Sequence, residues 1–233
     1  MSHGCVISPA TRQLLLVVGP TWESCEARLQ RFVRATGDAC WAAVGESVPV
    51  SLGRAGLAWG RGLHPPPEGS PQEKREGDGC APAGIFAITG LFGYADSGSA
   101  LAQAAKLPYL SANEALKCID DPASRHYNRI VDQDRVAEID WQSCEDMLRR
   151  DHRYELGAVI AHNDGQPVAG AGSCVFLHVW EAPGVPTAGC TAMSLADMTA
   201  LAGWLDGAMA PLLVQLPRDE YLKWREAWAL PVI

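Results

Sequence analysis

The sequence predicts a β-rich α+β fold, and three observations carry that expectation. Short runs of Val, Leu, Ile and Phe, too brief for long helices, recur from residue 13 to residue 216. Only a few stretches show helical spacing, and one of them opens on a capping signature. The two kinds of segment do not alternate regularly, so a parallel βαβ architecture is not indicated.

In chain order, residues 13–18 read as a buried strand closed by Gly19-Pro20. Residues 23–35 place Cys25, Leu29, Phe32 and Val33 on one helical face, with Gly37 as the stop. Strands are expected over 47–52 and 84–89. Between them, residues 63–82 collect Pro65, Pro66, Pro67 and Pro71 among charged residues and read as a long loop. The stretch ahead of that loop is too short to bury its own core. The loop is therefore an excursion within one domain spanning residues 1–233, with residues 1–45 as an N-terminal strand–helix elaboration. A short helix is expected over 113–118 and another over 141–150, where Cys144, Met147 and Leu148 fall at helical spacing. Residues 157–161 and 172–179 read as strands, and alternation in the second puts Cys174, Phe176 and His178 on one face. Ser194-x-x-Asp197 opens a helix with an apolar stripe of Leu195, Met198, Leu201, Ala202 and Leu205, and residues 211–216 return as a strand.

Composition narrows the classes of function. With 48% hydrophobic and 20% charged residues, the 233-residue chain has the makeup of a globular protein. A net charge of -8 and the lack of a Lys/Arg cluster argue against nucleic acid as a partner. The longest apolar runs, such as residues 14–18, fall far short of the ~20 residues of a transmembrane segment. The first twenty residues lack the basic, apolar and small-residue order of an export signal. Eight cysteines show neither a dense disulfide framework nor a C-x-x-C pair, and burial as small apolar side chains is the expectation for most of them.

Candidate chemistry is concentrated in residues 172–193, GSCVFLHVWEAPGVPTAGCTAM. His178 closes a strand, a turn rich in Pro and Gly follows, and Gly189-Cys190 ends it. An imidazole beside a thiol takes its proton or forms a thiolate–imidazolium pair, lowering the cysteine pKa by several units. Gly189 frees the turn to expose the sulfur and leaves backbone N–H groups to face a developing oxyanion. Spacing alone leaves two other readings open: ordinary core residues, and a metal site from Cys174, His178 and Cys190 that lacks a clear fourth ligand.

These residues resemble the catalytic core of the YkuD-type L,D-transpeptidases of bacterial cell-wall synthesis. The resemblance extends to GRAGLAWGRGL at 53–63, KREGDGCAPAGIFAI at 74–88 and IDDPASRHYNRIVD at 119–132. It implies a β-sandwich-like catalytic domain with a few helices and long loops, Cys190 as nucleophile, His178 as base and Gly189 at the oxyanion-hole position. Where the family pattern has Ser-His before Gly-Cys, this chain has Thr187-Ala188; where Arg often follows the Cys by two, it has Ala192, while Met193 matches. Without the second His, His178 serves alone, and the chain looks like a divergent branch.

The activity so implied is attack by Cys190 on a stem-peptide carbonyl at an L-centre, followed by transfer of the acyl group to an amine of a neighbouring stem as a 3-3 or 1-3 cross-link. The implied partners are peptidoglycan stem peptides as donor and acceptor, with carbapenems as inhibitors. No cofactor is implied, and the location is the periplasm or cell envelope. A stem-peptide hydrolase with the same dyad and a catalytically silent peptidoglycan-binding protein are the alternatives. Trp180 is expected to line the peptide cleft, and Asn163, Tyr127, Asn128 and Arg129 to bind stem-peptide amides and carboxylates. Residues 63–82 or 119–132 are candidates for a lid over the thioester. Cys174 is expected in the core, with an inhibitory disulfide to Cys190 as its alternative, and Asp120 and Asp121 read as turn residues. A literal Ser-His-Gly-Cys at residues 2–5 has no strand before it and no helix after it to position a thiolate, and is read as coincidence.

Overall fold

The computed structural model describes residues 7–65 and 72–233; the Ser-His-Gly-Cys at residues 2–5 and part of the Pro-rich loop lie outside them. β1 (Gln13–Gly19), β2 (Glu26–Val33) and β3 (Ala42–Ser51) form an antiparallel meander. β4 (Leu57–Trp59) and β5 (Ala81–Gly93) follow on either side of the long loop. Helix α1 (Ala100–Ala104), β6 (Tyr109–Ser111), β7 (Leu116–Cys118), β8 (Ile130–Asp132) and β9 (Glu145–Asp146) come next. The chain then runs through β10 (Leu156–Ile160), β11 (Phe176–Val179), β12 (Thr191–Met193), α2 (Leu195–Trp204), β13 (Leu212–Pro217) and α3 (Arg218–Trp224).

The fold is β-rich with few helices, and its main sheet mixes parallel and antiparallel pairs in the order β10-β11-β12-β3-β2-β1-β13-β5-β4. β5 pairs with β13 through residues 84–87 and with β10, the first strand of the path, through residues 88–93, so one long strand closes the sheet and β4 is appended on its N-terminal part. The enclosed core holds Leu14, Leu29, Phe86, Leu177, Met193 and Leu213, among others. β1 is apolar along its length because α3 packs on β1 and β13. α2 is capped by Ser194, whose hydroxyl accepts the Asp197 N–H at 3.0 Å, and it buries Met198, Leu201 and Ala202. A small sheet, β8-β7-β9, lies in the segment between β6 and β10.

Three expected helices are absent. Residues 26–33 form β2: a register irregularity between Leu29 and Arg31 breaks the alternation, and the three-residue step from Leu29 to Phe32 reads as a helical face. Residues 116–118 are β7, entered through a turn in which Asn113 Oδ1 accepts the N–H groups of Ala115 and Leu116. Residues 141–150 hold the two-residue β9, because Asp120 and Asp121 draw this segment in from outside it: Asp121 Oδ2 accepts the Gln142 N–H at 2.6 Å, and Asp120 accepts the Ser143 hydroxyl at 2.6 Å. Both aspartates thus organise local backbone, as their place beside Pro122 suggests.

Candidate active site

β11 and β12 are parallel neighbours with His178 opposite Ala192, so Cys190, two residues before Ala192, falls beside Phe176 on the face that His178 shares. The Phe176 N–H donates to Cys190 Sγ at 3.4 Å, and the thiol donates to the Cys174 carbonyl at 3.6 Å. Cys190 and His178 are thereby diagonal cross-strand neighbours, a spacing that long side chains bridge. Both line a cavity of about 110 Å³ together with Glu145, Tyr154, Trp180 and Ala188.

The turn that delivers Cys190 is held from within. The Thr187 hydroxyl donates to the Cys190 carbonyl at 2.6 Å and accepts the Gly189 N–H at 3.1 Å. Thr187 is itself anchored to the segment after β3, its N–H reaching the Leu52 carbonyl and its carbonyl accepting the Arg54 N–H. Gly189 has φ +154°, and a Cβ there would sit 3.0 Å from the Cys80 carbonyl oxygen. Its role in the geometry is therefore conformational, since its N–H is already engaged by Thr187.

His178 Nδ1 lies 2.8 Å from the Val179 carbonyl. A carbonyl only accepts, so Nδ1 carries the proton and Nε2 is left as an acceptor. The ring also packs edge-on against Tyr154 at 5.4 Å, and the Tyr154 hydroxyl donates to Glu145. Burial lowers the His178 pKa to about 4, helped by the Arg149 and Arg153 guanidiniums. Burial pushes Cys190 up to about 12, with the Glu145 carboxylate adding to the rise. Both shifts favour the neutral thiol beside a neutral imidazole, and so proton uptake by His178 during attack, over the thiolate–imidazolium alternative, because desolvation penalises both charges.

At Cys174 the structure corrects the expectation from the sequence. It is not a free core thiol but forms a disulfide with Cys118 of β7, and so it is bonded neither to Cys190 nor available as a thiolate metal ligand. Its φ of +52° also ends the strand alternation, so the regular face begins at Phe176. The bridge ties β7, in which Cys118 pairs with Glu145 of β9, to the backbone whose carbonyl receives the Cys190 thiol.

Of the residues expected to bind substrate, Trp180 alone lines the Cys190 cavity. Asn163 is buried and closes its own loop, donating to the Val168 and Gly172 carbonyls at 3.0 Å each. Asn128 donates to the carbonyls of His162 and Asn163 and accepts the Cys174 N–H at 3.0 Å, stapling two segments together. The buried Tyr127 hydroxyl donates to Glu76 at 2.5 Å, and burial raises its pKa. Arg129 is exposed and borders a different concavity. Besides Glu181 and Thr187 of the turn after β11, the polar side chains that line the cavity with the dyad, Glu145, Arg149, Arg153 and Tyr154, lie in a stretch whose sequence offers no motif, and Arg153 pairs with Glu181. Asp151, held down to about 2 by its bond from Arg149, also contacts Arg153. Ala192 is fully buried opposite His178, which leaves no room for an arginine there.

The model of the YkuD L,D-transpeptidase catalytic domain matches residues 40–214, about three quarters of the chain. The chain belongs to the YkuD family. No curated protein and no solved structure matches it. The YkuD match includes β11, the Thr187 turn and Cys190, whereas β1, β2 and α3 fall outside it. The protein therefore carries an L,D-transpeptidase-type catalytic domain, of a family that acts on cell-wall peptidoglycan. Among the described residues, no helix is long and apolar enough to cross a membrane.

Proposed function

We propose that the protein is a peptidoglycan L,D-transpeptidase in which Cys190 is the nucleophile and His178 the base. The observation that carries this reading is the shared cavity: the thiol and the imidazole lie on one face of two paired strands, with His178 Nδ1 tied to a carbonyl and Nε2 free to accept. Cys190 Sγ attacks a stem-peptide carbonyl at an L-centre as His178 Nε2 takes the thiol proton. The C–N bond then breaks, the proton passes to the leaving amine, and a thioester remains on Cys190. An amine of a neighbouring stem gives its proton to His178 and displaces the sulfur, forming a 3-3 or 1-3 cross-link. The thioester conserves the energy of the broken amide, so no nucleotide is consumed.

A neutral dyad suits this sequence. No charge is carried in the resting cavity by the pair, and proton transfer accompanies attack rather than preceding it. Trp180 is the side chain best placed to flank the bound peptide. The substrate places the protein at the cell envelope, in the periplasm, and carbapenems are expected to acylate the same sulfur. Incubation with purified disaccharide stem peptides, read by mass spectrometry, tests the reading: a dimer is expected, lacking the donor residue beyond position 3 for a 3-3 link or the donor stem beyond position 1 for a 1-3 link. A shortened monomer points instead to hydrolysis with the same dyad, and no reaction at all to a binding protein.

A further inference from the structure

The Cys190 cavity, at about 110 Å³, is too small for a stem peptide, since ligand pockets usually span about 300–1,000 Å³. Beside it lies an open groove of about 690 Å³, and Trp180 lines both. The turn between β11 and β12 separates the two spaces: Pro183 and Gly184 face the groove, while Val185 to Cys190 face the cavity with the exception of Gly189. The opposite wall comes from the β1–β2 hairpin, from Pro49 and Val50 of β3, and from Arg218 at the start of α3. The hairpin and Arg218 lie outside residues 40–214, whereas Pro49, Val50, Trp180, Pro183 and Gly184 lie inside them, so the groove forms where the family domain meets segments that this chain carries beyond the match.

The groove has apolar walls, Val18, Val50 and Trp180, and three charged side chains, Glu26, Arg28 and Arg218. Arg28 is engaged by Ser47 through its side chain and carbonyl. Glu26 extends over Gly184, where a Cβ would meet Oε1 at 2.8 Å. Arg218 is exposed and has no ion pair or side-chain hydrogen bond among the described residues. An unpaired guanidinium at the edge of an apolar, net-cationic groove suits a carboxylate-bearing peptide, which an Arg fork holds by paired N–H bonds.

We propose that this groove is the acceptor site: it holds the second stem peptide, with a carboxylate at Arg218, so that its amine reaches the thioester past Trp180. The inference rests on the transpeptidase reading and sharpens it, because a hydrolase needs no such site. Its consequence is partition. Once the acyl-enzyme forms, a bound acceptor competes with water, and weakening the groove shifts products from cross-link to hydrolysed donor.

The test uses the full chain with stem-peptide donor and acceptor at one fixed acceptor concentration, quantifying cross-linked and hydrolysed products in the same reaction. Their ratio is independent of how fast the acyl-enzyme forms. Arg218→Glu is expected to lower the ratio about tenfold, the effect of losing one charge-assisted contact. Arg218→Lys, which keeps the charge but not the fork, is expected to recover part of it. An unchanged ratio in Arg218→Glu, with acyl-enzyme forming normally in the wild type, overturns the groove assignment alone. A wild type that forms acyl-enzyme and only hydrolyses it also overturns the assignment. If no acyl-enzyme forms in the wild type, the reading of Cys190 falls and the acceptor site with it.

Discussion

Alkylation of Cys190 in the unliganded protein should be slow and should keep accelerating with pH. With the thiol pushed up to about 12 against an ordinary value of 9.0, the thiolate fraction at pH 8 is roughly a thousandfold below that of an ordinary thiol. A more basic thiolate is the better nucleophile, by about twentyfold over this interval, so the net rate is expected to be about fortyfold below that of an exposed cysteine. Cys40 is free and exposed in the same chain and serves as the internal reference. The assay is iodoacetamide labelling between pH 7 and 9.5, read peptide by peptide. The rate at Cys190 should rise about tenfold per pH unit throughout. A plateau around neutral pH, the mark of a preformed thiolate–imidazolium pair, would refute the neutral dyad.

Replacing the Cys118–Cys174 disulfide by two serines should cost about 4 kcal/mol in urea unfolding, from the loop-closure entropy of its 56-residue separation; an unmoved midpoint counts against a constraint on the unfolded chain. His64, His162 and His178 are each lowered to about 4 by burial, so the unfolded state binds protons first as pH falls. Stability present near neutrality should therefore be lost from about pH 6.5 down to about 4, at up to about 4 kcal/mol per pH unit for the three together, and a flat melting temperature from pH 7 to 5 contradicts this. Thr187→Val leaves the Cys190 carbonyl and the Gly189 N–H without their side-chain partner, at a cost of about 1–3 kcal/mol, and should slow acylation. Equal stability and rate in that variant would show that the turn holds its shape without the hydroxyl.

Much of the sheet was legible because its strands are apolar on both faces or alternate cleanly. β1 after Gln13 is a continuous apolar run, β13 is apolar but for the buried Gln215, and α2 announces itself by Ser194 and Asp197. β2 was not legible, since an irregular register gives Leu29 and Phe32 the spacing of a helix, and strand pairing with β1 and β3 overrides that local pattern. The Cys190 and His178 pair was visible as a motif, but its electrostatics were not: the sequence names the two groups without the burial that keeps both neutral. The disulfide was hidden for a similar reason. Cys118 and Cys174 stand 56 residues apart, in segments brought together only by the fold. Asn128, Asn163 and Tyr127 looked like loop residues open to a ligand, yet their polar atoms are engaged by the backbone and by Glu76.

The nucleophile is tested most directly by trapping it. Wild-type protein and Cys190→Ala are incubated with a purified disaccharide stem peptide, quenched in acid, and digested for mass spectrometry. The expected result is an adduct on the Cys190 peptide equal in mass to the donor stem minus the free amine it releases, which carries away the thiol proton, with adduct and product both absent from Cys190→Ala. Product formation retained by Cys190→Ala contradicts the assignment.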